Sequence, residues 1–218
     1  ITDTPEQERS VSFSPDGKKL LYAAERNNSW NLYEATLTYP EEKYFHQATL
    51  ITETPVLESK EETFQPAYSP DGKEVAFLEN RTELRVINLE SKKVRTVLPA
   101  KYNYSYSDGD MYYQWSPDSK WFLVNYFEEG GWMYVDAGLV AADGKSEPVN
   151  LSKSGYTDGS PKWSMYGKAF IWFSDREGYR SHGSWGAESD VYAAFFDPEA
   201  YDAFKLSKEE AEYAKEIE

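Results

Sequence analysis

One pentapeptide recurs along the chain and limits what the chain can fold into. Ser14-Pro15-Asp16-Gly17-Lys18 returns as Ser69-Pro70-Asp71-Gly72-Lys73. It returns with one change as Ser116-Pro117-Asp118-Ser119-Lys120, and in degraded form as Ser164-Met165-Tyr166-Gly167-Lys168. Successive copies begin 55, 47 and 48 residues apart. The residue types describe a turn. Pro presets φ at the first corner, Asp bonds back to the local backbone, and Gly accepts positive φ. An alternating apolar segment precedes each copy: Val11/Phe13, Pro66/Tyr68, Tyr113/Trp115 and Pro161/Trp163. A continuous apolar run follows each: Leu20 to Ala23, Val75 to Leu78, Trp121 to Val124 and Ala169 to Trp172. Such runs suit strands buried on both faces. Each copy is therefore expected to be a hairpin turn between two strands.

A period of roughly 40–50 residues with several short strands per unit is the mark of a β-propeller. Third strands are expected at Trp30–Tyr33, Leu84–Ile87, Gly138–Val140 and Asp190–Tyr192. Outer strands are expected at Ala48–Thr52, Val94–Leu98 and Pro148–Ser152, with none evident in the fourth unit. The fold class is thus all-β: a propeller segment of four blades, each a three- or four-stranded antiparallel sheet, with a short helical C-terminal tail. The units lie near residues 10–52, 63–98, 112–152 and 161–196, and the tail or linker occupies 197–218. In that tail Asp197-Pro198 reads as an N-cap followed by a first helical position, and Ser207-Lys208-Glu209-Glu210 as a capping box. Ile1-Thr2-Asp3-Thr4-Pro5 matches Ile51-Thr52-Glu53-Thr54-Pro55, which is expected to end an outer strand. By this phase residue 1 ends an outer strand whose own blade lies upstream. An open arc would leave blade faces uncovered, so the isolated chain is expected to self-associate.

Composition removes several functions. The net charge of -15 opposes nucleic acid as a partner, because binding a polyanion needs clustered Lys and Arg. No apolar run approaches the ~20 residues of a spanning helix, so membrane insertion is not expected. Cysteine is absent, which removes disulfides, thiolate metal ligands and thiol nucleophiles together. His46 and His182 are the two histidines, and His46 reads as a surface-loop residue.

The S-P-D-G-K repeat, with a preceding P-x-[YW] and a following apolar strand, resembles the repeat of TolB-type and tricorn-protease-type propellers. Phe173-Ser174-Asp175-Arg176-Glu177-Gly178 is similar to a further part of that repeat. Tyr201 to Glu210 resembles the segment that leaves the last blade in bacterial tricorn-like serine peptidases. The propeller resemblance covers nearly the whole chain. It implies an accessory, non-catalytic domain that gates or guides peptide or protein substrates toward a peptidase domain downstream in the parent chain. It also implies a periplasmic or otherwise extracytoplasmic location, and no cofactor. The alternative is a stand-alone TolB-like interaction propeller of the cell envelope.

The residues themselves offer little chemistry. A Ser–His–acid triad needs a serine on a strained elbow, and no G-x-S-x-G occurs. A carbohydrate-active propeller would need carboxylates and histidines converging on the channel, and two histidines argue against it. Asp108-Gly109-Asp110 lacks the spacing of an EF-hand and reads as an acidic turn, so no metal is expected. Tyr39 to Gln47, with Glu41 and Glu42, reads as a solvated excursion between strands three and four of the first blade. The informative segment is the insertion from Arg180 to Ser189, before the third strand of the last blade. Strand connectivity alternates between propeller faces, so this loop shares a face with Glu53–Glu62 and with Lys101-Tyr102-Asn103-Tyr104-Ser105-Tyr106. Loops on a rigid scaffold commonly carry binding, and Tyr, Trp and Arg are favoured anchors. Tyr102, Tyr104, Tyr106, Arg180, His182 and Trp185 are the candidate peptide- or partner-binding residues. The competing reading has the insertion pack over the propeller end or against a neighbouring domain.

Overall fold

The computed structural model describes residues 4–107, 109–180 and 186–217. Among these residues, fifteen strands form four antiparallel sheets, each built from strands consecutive in sequence. Blade 1 contains β1 (Glu8–Phe13), β2 (Leu20–Arg26), β3 (Ser29–Leu37) and β4 (Ile51–Leu57). Blade 2 contains β5 (Thr63–Tyr68), β6 (Glu74–Glu79), β7 (Glu83–Asn88) and β8 (Val94–Leu98). Blade 3 contains β9 (Tyr113–Trp115), β10 (Trp121–Tyr126), β11 (Asp136–Ala141) and β12 (Val149–Asn150). Blade 4 has three strands, β13 (Asp158–Ser164), β14 (Ala169–Ser174) and β15 (Asp190–Phe195). Helices α1 (Pro198–Lys205) and α2 (Lys208–Ile217) follow. Asp197 caps α1 by accepting from the Glu199 N–H at 2.9 Å. Ser207 and Glu210 exchange the two bonds of a capping box, at 2.8 and 3.2 Å.

Each repeat turn joins the first two strands of its blade. Ser14 Oγ donates to Asp16 Oδ1 at 2.6 Å, the Lys18 N–H donates to the same oxygen at 3.1 Å, and the Lys19 N–H donates to Ser14 Oγ at 3.0 Å. The same bonds recur around Ser69/Asp71 and Ser116/Asp118. Gly17 and Gly72 sit at φ 71° and 72°, and Ser119 holds the same conformation at 61°. The fourth copy keeps the register, with Ser164 paired to Ala169, but has no carboxylate. Met165 and Tyr166 take positive φ there, and the turn rests on the Lys168 N–H to Met165 carbonyl bond at 3.2 Å.

Alternation along the inner strands decides which side chains meet across blades. Leu21, Ala23 and Leu32 of blade 1 pack on Val75, Phe77 and Ile87 of blade 2. Ala76, Leu78 and Val86 of blade 2 pack on Trp115, Phe122 and Val124 of blade 3. Leu123 and Ala137 of blade 3 pack on Phe170 and Trp172 of blade 4. The aromatic residue just before each repeat serine adds a polar tie to the preceding blade. Tyr68 donates to Glu34, Trp115 Nε1 to the Ala67 carbonyl at 3.2 Å, and Trp163 Nε1 to the Gln114 carbonyl at 3.3 Å. The equivalent residue of blade 1 is Phe13, which has no donor and is 60% exposed.

Two expectations for blade 1 need correction. Its outer strand runs Ile51–Leu57, not Ala48–Thr52, so Ile51 to Pro55 begins that strand rather than ending it. The cause lies in the excursion before it, which is not merely solvated. Phe45 folds back and is buried against Leu20, Tyr22, Ala24, Tyr33 and Ala35, the face of blade 1 turned away from blade 2. Pairing with β3 resumes only at Leu37–Ile51. Glu42 accepts from the Thr49 N–H at 2.8 Å, which helps close the excursion. His46 is exposed and stacks on Tyr44.

Candidate functional site

The connections from second to third strand and from one blade to the next all emerge on one face. Their lengths are uneven. The second-to-third loop has two residues in blade 1, three in blade 2, nine in blade 3 and fifteen in blade 4. The long loops over blades 3 and 4 therefore build whatever relief this face has.

The 99–112 connection begins with a 3-10 turn at Ala100–Tyr102. Tyr102 is half-buried: its ring stacks on Tyr126 with centroids 5.4 Å apart, its hydroxyl donates to Glu147 at 3.3 Å, and Lys101 Nζ lies 4.7 Å from its centroid. Its carbonyl also accepts the Phe127 N–H at 3.0 Å, so Tyr102 ties two loops of this face together. Beyond it the chain turns outward. Asp110 Oδ2 accepts the Tyr106 and Ser107 N–H groups at 2.5 and 2.9 Å, and Oδ1 accepts Ser105 Oγ at 2.6 Å. That committed carboxylate presents Tyr104 and Tyr106, which meet edge to face at 4.9 Å. Tyr106 is 65% exposed. Asp108 lies outside the described residues, as do His182 and Trp185.

Trp132, from the nine-residue loop of blade 3, approaches Tyr104 at 6.4 Å and is 50% exposed. It stands between two adjoining hollows that share Gly130, Gly131 and Trp132. One, of about 590 Å³, is bounded by Lys101, Asn103 and Tyr104. The other, of about 610 Å³, is bounded by Glu128, Tyr134, Asp136, Lys153 and Gly155. Arg180 crosses from blade 4 to the far rim. Its guanidinium lies between the rings of Tyr134 and Tyr156, 5.0 and 4.8 Å from their centroids. Its Nη2 donates to the Gly155 carbonyl at 2.9 Å, and its Nε pairs with buried Asp175 at 3.5 Å.

Underneath, blade 4 is locked to this face by a buried carboxylate. Asp158 is fully buried and accepts from Ser154 Oγ at 2.5 Å, Trp172 Nε1 at 3.2 Å and Arg176 Nη2 at 3.0 and 3.1 Å. Burial alone would raise its pKa, but the bonds from Ser154, Ser174 and Arg176 outweigh it and hold the group below the ordinary carboxylate value.

Of the six residues expected from sequence, Tyr104 and Tyr106 share one aromatic cluster, Tyr102 anchors it from below, and Arg180 borders the second hollow. Sequence reasoning passed over Trp132, Tyr134 and Tyr156. A usable signal lay in the third repeat, where Phe127 to Val135 lengthens a loop of two residues in blade 1 and carries a flexible Gly130-Gly131 pair beside the aromatic residues. Among the described residues, no three His, Cys, Asp or Glu side chains gather in a metal-holding arrangement. No helix among them is long and apolar enough to cross a membrane.

No family model matches the chain, and no curated protein matches it in sequence. Solved structures do match. Tricorn protease superposes with a TM-score of 0.61 at 14% identity, over 90% of this chain and 18% of that one. A prolyl endopeptidase gives 0.55 at 19% identity, over 87% and 28%. TolB from Acinetobacter baumannii gives 0.53 at 18% identity, over 88% and 42%. The chain thus spans less than half the length of each of these structures. At these identities the likeness concerns the fold, and it agrees with the blade order and seams described above: the chain is folded as a run of β-propeller blades of the TolB and tricorn kind.

Proposed function

We propose that this chain is a non-catalytic propeller domain that binds or guides peptide or protein substrates for a tricorn-like serine peptidase. The observation that carries the reading is the concentration of exposed Tyr104, Tyr106, Trp132, Tyr134 and Tyr156 around two adjoining hollows on one face. Exposed aromatic side chains offer large contact area at low entropic cost and recur as interface anchors. The hollows are open and elongated by adjacency, which suits an extended segment better than a compact small molecule. The fold likeness to tricorn protease and to a prolyl endopeptidase supports an accessory role, since in each the matched region is a minor part of a much longer chain.

The test is binding of fluorescein-labelled extended peptides of mixed composition, followed by anisotropy. The double variant Tyr104→Ala/Trp132→Ala is expected to weaken binding at least tenfold with an unchanged circular dichroism spectrum. Equal binding by the variant would remove this face as the site. A downstream serine-peptidase region in the parent reading frame would support delivery to a peptidase. Its absence would leave the stand-alone, TolB-like interaction propeller of the cell envelope.

A further inference from the structure

The two hollows differ in chemistry, and the difference selects a side chain. The hollow bounded by Lys101 and Asn103 has its nearby charges already matched, with Lys101 Nζ 3.1 Å from Glu129. The one beyond Trp132 does not. Asp136 lines it while being only 8% exposed. Its Oδ1 accepts from Ser152 Oγ at 2.7 Å and the Ser154 N–H at 3.2 Å, and its Oδ2 accepts from Asn150 Nδ2 at 2.7 Å. Every one of these partners is neutral. Among the described residues no cation pairs with Asp136, whereas the neighbouring buried carboxylates Asp158 and Asp175 are paired with Arg176 and Arg180.

A buried carboxylate held only by neutral donors keeps its charge, and that charge attracts a cation entering the hollow. Glu128 adds a second carboxylate to the same hollow, and Trp132 and Tyr134 supply aromatic walls. Aromatic faces attract ammonium and guanidinium groups, and on this face one ring pair already does so, with Arg180 between Tyr134 and Tyr156. Lys153 is the basic residue lining the hollow; it is exposed and balances one of the two carboxylates, while Arg180 at the rim is already paired with Asp175. We infer that the hollow between Trp132 and Tyr134 is a subsite for an arginine or lysine side chain of the bound peptide. The cation would meet Glu128 at the mouth and the field of Asp136 from the floor.

This inference rests on the reading of the face as peptide-binding, and the experiment separates the two. A labelled extended peptide carrying one arginine is compared with the same peptide carrying citrulline, which keeps the shape and removes the charge. The arginine peptide is expected to bind about tenfold more tightly to the whole chain. Glu128→Gln, in an exposed loop, is expected to reduce that ratio severalfold, and Lys153→Gln to raise it. A ratio near one, with both peptides still lost on Tyr104→Ala/Trp132→Ala, overturns the subsite and leaves the binding face intact. A tenfold ratio that survives Glu128→Gln and ignores Lys153→Gln also overturns it, because the charge is then read elsewhere. Binding of neither peptide overturns the face and the subsite together.

Discussion

Three aspartates repeat one job, and their shared chemistry makes the fold sensitive to acid. Asp16, Asp71 and Asp118 each accept a serine hydroxyl and a backbone N–H inside the repeat turn, and each is held below the ordinary carboxylate pKa, chiefly by that serine bond. A carboxyl whose pKa is lower in the folded than in the unfolded state stabilises the fold in its charged form. The contribution is complete above the unfolded value of about 3.9 and fades as pH falls through the folded value. The urea midpoint is therefore expected to decline from pH 5 toward pH 3, and the Asp71→Asn/Asp118→Asn variant to decline less steeply. At pH 7 each of these two substitutions is expected to cost roughly 0.5–1 kcal/mol in urea unfolding, the usual net worth of such bonds. The fourth turn, with Tyr166 in the aspartate position, contributes nothing to this slope. These turns were legible because the geometry demands particular residues: φ > 0, a short acceptor and a ring at the first corner leave few alternatives. Trp132 and Tyr156 were not, because an aromatic residue in sequence reads as core, and only the packed blades show which rings are left outside. Asp136 was still less visible, since its lack of a counter-ion depends on which cations the tertiary fold sends elsewhere.

At the scale of elements, the blades differ in what covers them. The inner strands of all four repeats were legible from their continuous apolar runs, and the outer strands of blades 2 and 3, Val94–Leu98 and Val149–Asn150, lie where the sequence places them; the outer strand of blade 1 does not. The β3–β4 excursion shows the limit best. Its Glu41 and Glu42 suggest solvent, yet one residue, Phe45, plugs the outer face of blade 1. A second lock stands beside it: Arg26 bridges Glu8 at 2.7 Å and Glu53 at 2.9 Å, and the Tyr22 hydroxyl donates to Glu53 at 2.6 Å. Burial, followed by this Glu53 bond, pushes the Tyr22 pKa well up, so the phenol stays a donor through the physiological range. Phe45→Ala is expected to cost about 3 kcal/mol, the usual toll of emptying a buried aromatic site. Hydrogen exchange would then accelerate first in β2 and β3 while β14 keeps its protection. Uniform acceleration across all blades would mean that the cap belongs to one global unit.

At the scale of the whole chain, the first and fourth blades differ in what they expose, and this bears on how the isolated chain is expected to behave in solution. Packing runs from blade 1 through blade 4, and no buried apolar cluster among the described residues joins blade 4 back to blade 1. On blade 1 Phe45 covers the two middle strands, at Leu20, Tyr22, Ala24, Tyr33 and Ala35, and leaves the apolar Val11 and Phe13 of the first strand exposed. On blade 4 alternation sends Phe170 and Trp172 toward blade 3, and leaves the paired residues Phe173 and Val191 on the opposite side, where both are largely exposed. Helix α1 shields only one end of that side, where Tyr201 and Phe204 pack on Phe195 at 5.2 and 5.3 Å. A contiguous apolar sheet face of this kind drives association. If the same face meets itself, the contact is isologous and stops at a dimer; if it met the first strand of blade 1 it would be head to tail and could propagate. The cap on blade 1 disfavours the second arrangement. Sedimentation velocity on the isolated chain is therefore expected to show a concentration-dependent dimer rather than a ladder. Phe173→Lys/Val191→Lys should return it to monomer, while Phe13→Lys should leave the dimer in place. A ladder abolished by Phe13→Lys would instead place the contact between unlike ends, and a monomer at every concentration would mean that α1 already covers enough of blade 4 to protect it.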